Sequence, residues 1–145
     1  MPMQSELTLT LEPIDEAAWL ARRAMGPEMG AAVCFSGVVR GTEGGEAIAA
    51  IEYEAFERMA RHQVGLLFQR MEERWPVQSV RVAHRLGRVG AGETALWVEV
   101  IAPHRREAFA ACEFIIDEMK RVVPIWKKPL TFRLSSSALP ARDKA

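Results

Sequence analysis

The sequence predicts an α+β domain with helices packed on mostly antiparallel strands, and three observations carry that expectation. Two long segments, residues 57–75 and 104–122, repeat apolar residues at helical spacing and are each followed by a proline, Pro76 and Pro124. Around them lie shorter stretches whose apolar residues alternate or run together and are bounded by glycine, as strands require. The elements follow one another as β-α-β-β-α-β-β-α-β, with no internal repeat and no linker. At 145 residues the chain suits one domain, able to bury about 68–70% of its extended surface. That domain is expected to span residues 1–133, with 134–145 as a mobile tail unless a partner orders it.

Leu7, Leu9 and Leu11 alternate with Thr8 and Thr10, the period of a strand with one buried face. Asp15 can cap a short helix over Ala17 to Met25, which Gly26 and Pro27 end. Ala31 to Val39 is apolar on both faces and reads as an interior strand. After a glycine-rich turn, 41–45, Ile48 to Tyr53 returns as a second strand, and the two are expected to form a hairpin-like pair. In the first long helix Ala60, Val64, Leu67, Phe68, Met71 and Trp75 share one stripe. Strands near Val80–Leu86 and Thr94–Ala102 flank residues 87–92, whose three glycines suit a turn with positive φ. The second long helix buries Ala108, Cys112, Ile115, Ile116 and Met119 before Pro124 breaks it, and a short strand follows from Ile125 to Phe132.

Bulk properties exclude several function classes. Nineteen basic and nineteen acidic residues cancel, which argues against a general binder of nucleic acid or acidic membrane. No run reaches the roughly 18 apolar residues of a membrane span, and residues 1–6 lack the basic and apolar regions of a secretory signal. The expected location is the cytoplasm, with Cys34 and Cys112 as free thiols in core-like positions. Positive charge is nevertheless concentrated late: between Met119 and Arg142 stand Lys120, Arg121, Lys127, Lys128, Arg133 and Arg142, and no Asp or Glu.

Residues 103–106, Pro-His-Arg-Arg, open a helix with cations that its macrodipole disfavours by about 0.3–1 kcal/mol each. His104, Arg105 and the free N–H groups of the first turn would suit a phosphate or carboxylate; a solvated helix start screened by Glu107 fits the same residues. Lys120 and Arg121 sit in the last turn of that helix, where the dipole favours them. Lys127 and Lys128 follow Trp126 in an otherwise apolar strand, so only one of the two can easily face a site. Arg40 ends a strand beside the glycine turn, placed either to clamp a ligand or simply to face solvent. The three histidines have no zinc-like spacing with each other or with the cysteines, and residues 41–45 match neither a Walker loop nor a dinucleotide-binding fingerprint. No metal and no cofactor is therefore expected. His84 alternates with Val80, Val82 and Leu86 and reads as a buried, hydrogen-bonded residue.

Five short motifs resemble, in order and spacing over residues 30–128, the large catalytic subunit of molybdopterin synthase. They are Phe35-Ser36-Gly37-Val38-Val39-Arg40; Ile51-Glu52-Tyr53-Glu54 with Met59-Ala60; His84-Arg85-Leu86-Gly87; His104-Arg105 with Ala108-Phe109; and Pro124-Ile125-Trp126-Lys127-Lys128. This chain has Pro129 where the family pattern has glutamate. The resemblance implies an α/β-hammerhead-type subunit that forms a homodimer within a heterotetramer. Its partner is a small ubiquitin-like sulfur-carrier subunit whose C-terminal Gly-Gly tail is a thiocarboxylate. Two sulfurs pass to cyclic pyranopterin monophosphate, giving the dithiolene of molybdopterin. By position, Lys120 and Lys127 correspond to catalytic lysines; Arg40, His104 and Arg105 correspond to contacts with the substrate anion; Phe35, Val38, Val39 and Lys128 fall on pocket positions.

Arg105 and Lys120, fifteen residues apart on one helix, are separated by about 22 Å, more than a small pterin can bridge. The expected pocket is composite, with His104 and Arg105 supplied by one protomer and Lys120 and Lys127 by the other. A non-catalytic module that binds a phosphorylated metabolite would explain the same charges but not the motif series.

Overall fold

A computed structural model describes residues 2–132 and 143–144. Strands β1 (Gln4–Thr10), β5 (Ser79–Arg85), β7 (Thr94–Ala102) and β2 (Ala31–Val38) form a four-stranded sheet in the order β1-β5-β7-β2. Only the β1–β5 pair is parallel. A second sheet runs β3 (Thr42–Glu43), β4 (Glu46–Ala55), β8 (Ile125–Thr131), β9 (Asp143–Lys144), and β6 (Gly87–Gly90) also pairs with β4. The helices are α1 (Glu16–Ala21), α2 (Glu57–Arg74) and α3 (Arg105–Val122). The α+β architecture of helices on mostly antiparallel strands is thus as expected.

Alternation along β5 and β7 gives the first sheet two unlike faces. On one, the cross-strand pairs Val80–Val100, Val82–Val98 and His84–Leu96 look toward α2 and α3. Val64, Leu67, Phe68 and Met71 of α2, with Ala111, Cys112, Ile115 and Met119 of α3, complete that core. The helices are locked together at the surface by Trp75 edge-on to Phe114 at 5.4 Å and by Arg70 on Glu118 at 2.9 Å. On the other face lie the pairs Arg81–Glu99 and Ala83–Trp97, and α1 covers them with Trp19, 5.5 Å from the Trp97 ring. Glu99, 1% exposed, binds Arg81 at 2.7 Å and Arg23 at 2.7 Å, while the Arg81 guanidinium lies over Trp97. A buried carboxylate is tolerable there because two cations hold it.

Five local expectations change. The helix after Asp15 ends at Ala21 instead of Met25, although Asp15 does accept the Ala18 N–H at 3.1 Å. Tight turns at Arg22 and Arg23 then aim Arg23 at Glu99. The strand 31–38 is an edge strand on β7, not an interior one, and it lies in a different sheet from β4, so the two form no hairpin. The hairpin is instead β3–β4, closed by Gly44 and Gly45 with φ of 58° and 84°, the conformation a two-residue loop of mirror-image type needs. Residues 87–90 are a strand on β4 as well as part of a connection. Cys34 is exposed, beside Arg23 and Glu99, whereas Cys112 is buried as expected.

Strand β8 continues through Pro129, opposite Ile51 of β4. Its other neighbour, β9, reaches only Trp126 and Lys127, so at Pro129 one edge is unpaired among the described residues and a missing N–H is tolerated. Within the tail expected to be mobile, Asp143–Lys144 forms β9; the remainder, with Arg133, Arg142 and residues 135–137, lies outside the described residues. No helix among the described residues is long and apolar enough to cross a membrane.

Removing the Glu99 carboxylate would strand Arg81 in the sheet without its counter-charge. Glu99→Leu is expected to lower the unfolding free energy by about 3–5 kcal/mol, measured as a reduced urea midpoint; a loss under about 1 kcal/mol, the range of an exposed ion pair, would contradict this account.

Candidate active site

Strands of both sheets and the C-terminal end of α3 enclose a cavity of about 360 Å³. Its cations come from distant parts of the sequence: Arg40 just after β2, Lys120 from α3 and Lys127 from β8. Each is aimed by its own element. In the last turn of α3, Arg121 is drawn to Glu118 at 2.7 Å, while Lys120 faces the cavity. The hydrogen bonds from Arg121, then that from Arg70, hold the Glu118 carboxyl down to about 2, so this anchor stays charged. Pro124 ends α3, and Ile125 begins β8 with Lys127 opposite Tyr53 of β4. Strand alternation then sends Lys128, opposite Glu52, away from the cavity.

The opposite wall is set by an irregularity. Gly37 pairs with Leu96 and Val38 with Thr94, leaving Ala95 as the extra residue of a bulge. Val38 and Phe35 remain partly exposed at the opening, and Val39 is buried, its N–H donating to Glu93 O and its carbonyl accepting from Gly92 N–H. A side chain at position 37 would meet the Phe35 ring at 3.2 Å and Leu96 at 3.4 Å, so glycine lets that ring lie along the wall. Phe35, Val38 and Val39 all line the same cavity as the three cations.

His104 and Arg105 are elsewhere. They line an open groove with Arg106 and Phe109 at the N-terminal end of α3. His104 is the helix N-cap, with its Nδ1 4.0 Å from Glu107, and its side chain makes no capping hydrogen bond. Of the predicted site residues, then, Arg40, Lys120, Lys127, Phe35, Val38 and Val39 meet within this chain. His104, Arg105 and Lys128 do not join them.

Three cavity residues carry chemistry that sequence reasoning did not assign. Glu43, at the tip of the β3–β4 hairpin, reaches Lys127 Nζ at 3.4 Å. Tyr53 packs edge-on against His84, ring centroids 5.0 Å apart, and burial followed by the nearby Glu43 charge raises the Tyr53 phenol, so it stays protonated. His84 is 5% exposed and donates from Nδ1 to the Arg85 carbonyl at 2.7 Å. The signals for these residues were the glycines flanking Glu43 and the alternation of Tyr53 and His84 within apolar strands. Neither indicates a cavity until the sheets are assembled.

Arg40 and Lys120 have no ion pair among the described residues, so two of the three cations are available to an anion. Burial raises the thiol of Cys112 to about 11, and desolvation raises that of Cys34 against the opposing charge of Arg23. Both sulfurs thus persist as poorly nucleophilic thiols. Among the described residues no group of three or more His, Cys, Asp or Glu could hold a metal ion. The arrangement can bind an anion against apolar walls and stabilise developing negative charge.

A family model described as MoaE protein matches residues 9–122. The chain is 37% identical over 120 residues to the molybdopterin synthase catalytic subunit of Thermoplasma volcanium, covering 83% of this chain and 85% of that protein. It is 36% identical over 133 residues to the molybdopterin synthase catalytic subunit of Vibrio cholerae, covering 92% and 89%. The solved structure of molybdopterin synthase from Staphylococcus aureus is similar with a TM-score of 0.81 and 30% identity, over 92% of this chain and 96% of that one.

Burial pushes the His84 imidazole from 6.5 down to about 4, against the smaller raising effect of its bond to Arg85. The unfolded chain therefore takes up this proton before the folded one does. Stability due to His84 is complete above about pH 6.5 and is lost as pH falls toward 4, by on the order of 3 kcal/mol. Chemical denaturation across that window should show the loss, and His84→Gln should flatten this part of the profile; an unchanged profile in the variant would refute the assignment.

Proposed function

The chain belongs to the MoaE protein family, and we propose that its cavity is the sulfur-transfer site, with Arg40, Lys120 and Lys127 as its working cations. It is the catalytic subunit of molybdopterin synthase, a sulfur-transferring enzyme of molybdenum cofactor biosynthesis. The observation that carries the site assignment is the convergence of these three residues on one apolar-walled cavity.

In this reading the thiocarboxylated tail of a small ubiquitin-like sulfur-carrier subunit enters the cavity beside Lys120 and Lys127. Its sulfur displaces an oxygen from a side-chain carbon of cyclic pyranopterin monophosphate: the carbon–sulfur bond forms as the carbon–oxygen bond breaks, and the departing oxygen takes a proton. Water then cleaves the acyl–sulfur bond, leaving sulfur on the pterin and a carboxylate on the tail. A second carrier repeats the transfer at the neighbouring carbon, and in one of the two transfers the departing oxygen is a phosphate-ester oxygen, which opens the cyclic phosphate. The lysines stabilise the oxyanion of each hydrolysis and supply protons to leaving oxygens. Arg40 holds the phosphate, and a glycine tail suits the passage because it needs no side-chain space. Sulfur arrives with the carrier, which fits the raised thiols of Cys34 and Cys112. A soluble biosynthetic enzyme of this kind works in the cytoplasm.

The positions of His104 and Arg105 support a shared site. They open α3 and Lys120 closes it, with about 22 Å between Arg105 and Lys120, so one substrate cannot touch both ends of the same helix. A homodimer in which the His104–Arg105 groove of one protomer faces the lysine cavity of its partner would complete the phosphate site. Such a dimer with two carriers is a heterotetramer.

Purified chain mixed with thiocarboxylated carrier and the cyclic pterin should form dithiolene product. Lys120→Ala should reduce turnover by about 100-fold or more, on the scale of losing a charge-stabilising donor; near-normal product would remove Lys120 from the mechanism. Mixing His104→Ala chains with Lys120→Ala chains should restore activity, because a mixed dimer retains one unaltered site. Absence of recovery in demonstrated mixed dimers would contradict a shared pocket.

A further inference from the structure

Among the uncharged polar side chains of the cavity, His84 is the one that offers a fixed ring acceptor. His84 lines its wall from β5, is 5% exposed, and has Nδ1 committed to the Arg85 carbonyl at 2.7 Å. Because a carbonyl only accepts, the ring proton is assigned to Nδ1, and Nε2 is left as a lone-pair acceptor. Nε2 has no partner among the described residues and is not among the sealed, unpaired polar atoms of the interior. The cavity is therefore where it can find a donor.

The ring cannot turn to serve another purpose. Tyr53 packs against it at 78°, and Leu9 and Leu96 flank it as cross-strand neighbours. Arg40, Lys120 and Lys127 line the same cavity as positive groups, and burial already disfavours protonation of the imidazole. A glutamate in this place would repel an anionic substrate, whereas a neutral imidazole accepts a hydrogen bond without opposing the phosphate. The surrounding wall is apolar, including Ile51, Leu96, Ile116 and Met119. That wall rewards a flat ring; a Gly-Gly tail has no side chain to bury there.

We propose that His84 recognises the heterocycle of the pterin substrate by accepting a hydrogen bond from one of its N–H groups at Nε2. The assignment rests on the pterin-binding reading of the cavity and adds a specificity residue to it. Phosphate contacts alone would hold any phosphorylated molecule of similar size; an acceptor fixed in the apolar wall selects one that presents N–H at the same point.

The test compares steady-state kinetics of the assembled, carrier-supplied enzyme with His84→Met and His84→Leu, which fill the space but remove the acceptor, and His84→Gln, whose amide oxygen can replace it. Folding of each variant is verified by thermal unfolding, and two apolar replacements are used so that the comparison survives if one fails to fold. The apolar variants should raise KM for the cyclic pterin by about tenfold with kcat nearly unchanged. Affinity for the carrier should stay constant, and His84→Gln should recover most of the pterin KM. A normal pterin KM in a folded apolar variant, a loss confined to carrier affinity, or no rescue by glutamine would each overturn the proposal. Absence of turnover by the unsubstituted enzyme would instead overturn the underlying reading and this inference with it.

Discussion

Pairing of β8 with β4 is the constraint on which the site depends. It places Lys127 opposite Tyr53 and draws the chain beyond α3 across to the second sheet, so that the end of α3 and the wall of β4 enclose a common space. Pro124 makes the junction abrupt, since α3 cannot continue through it and β8 begins at the next residue. Were the register to slip by one residue, Lys128 would replace Lys127 in the cavity and Trp126 would change faces. The pocket is thus a product of strand register as much as of residue type.

Electrostatics follow from that enclosure. Like charges in a partly desolvated space repel more strongly than in water, so converging cations are stable only with some compensation. In this chain Glu43 compensates Lys127, and it can do so because the Gly44–Gly45 loop folds β3 back onto β4 at that edge. Arg40 and Lys120 remain unpaired among the described residues, and an anionic ligand is the natural complement. The covered reverse face of the first sheet solves the opposite problem: there two arginines surround the carboxylate of Glu99, and the charge is structural. Similar residues thus differ in setting: Arg81 and Glu99 are buried against each other, whereas Arg40 and Lys120 face an open cavity.

Much of the fold was legible from periodicity. The stripe through Val64, Leu67, Phe68 and Met71 and the one through Ala108, Cys112, Ile115 and Met119 both face the core, since a helix of five turns must bury one side. Shorter elements were less legible. An apolar run such as 31–38 looks alike in a central strand and in an edge strand that walls a cavity, and pairing partners are set by contacts distant in sequence. The β2–β4 hairpin expectation failed for that reason: adjacency in the chain suggested it, but β2 pairs with β7 from Ala31 to Val38 and the glycines serve β3–β4 instead. Cys34 appeared core-like because its neighbours are apolar, yet it falls on the side of an edge strand that α1 leaves partly open.

For this protein the sequence by itself determined the types of the longer elements, the two amphipathic helices, the late cluster of positive charge and the motifs that place the chain in its family. Helical rise alone also separated the His104–Arg105 end of α3 from Lys120, a separation the two distinct recesses reproduce. Tertiary structure decided which of the adjacent lysines enters the cavity, that Arg40 meets Lys120 and Lys127, and that Glu43, Tyr53 and His84 share their space. Local propensity acts over a few residues and is written in their order. A cavity between two sheets is created by pairings of β2 with β7 and of β4 with β8, whose partners lie tens of residues apart, so it exists only once the chain has closed on itself.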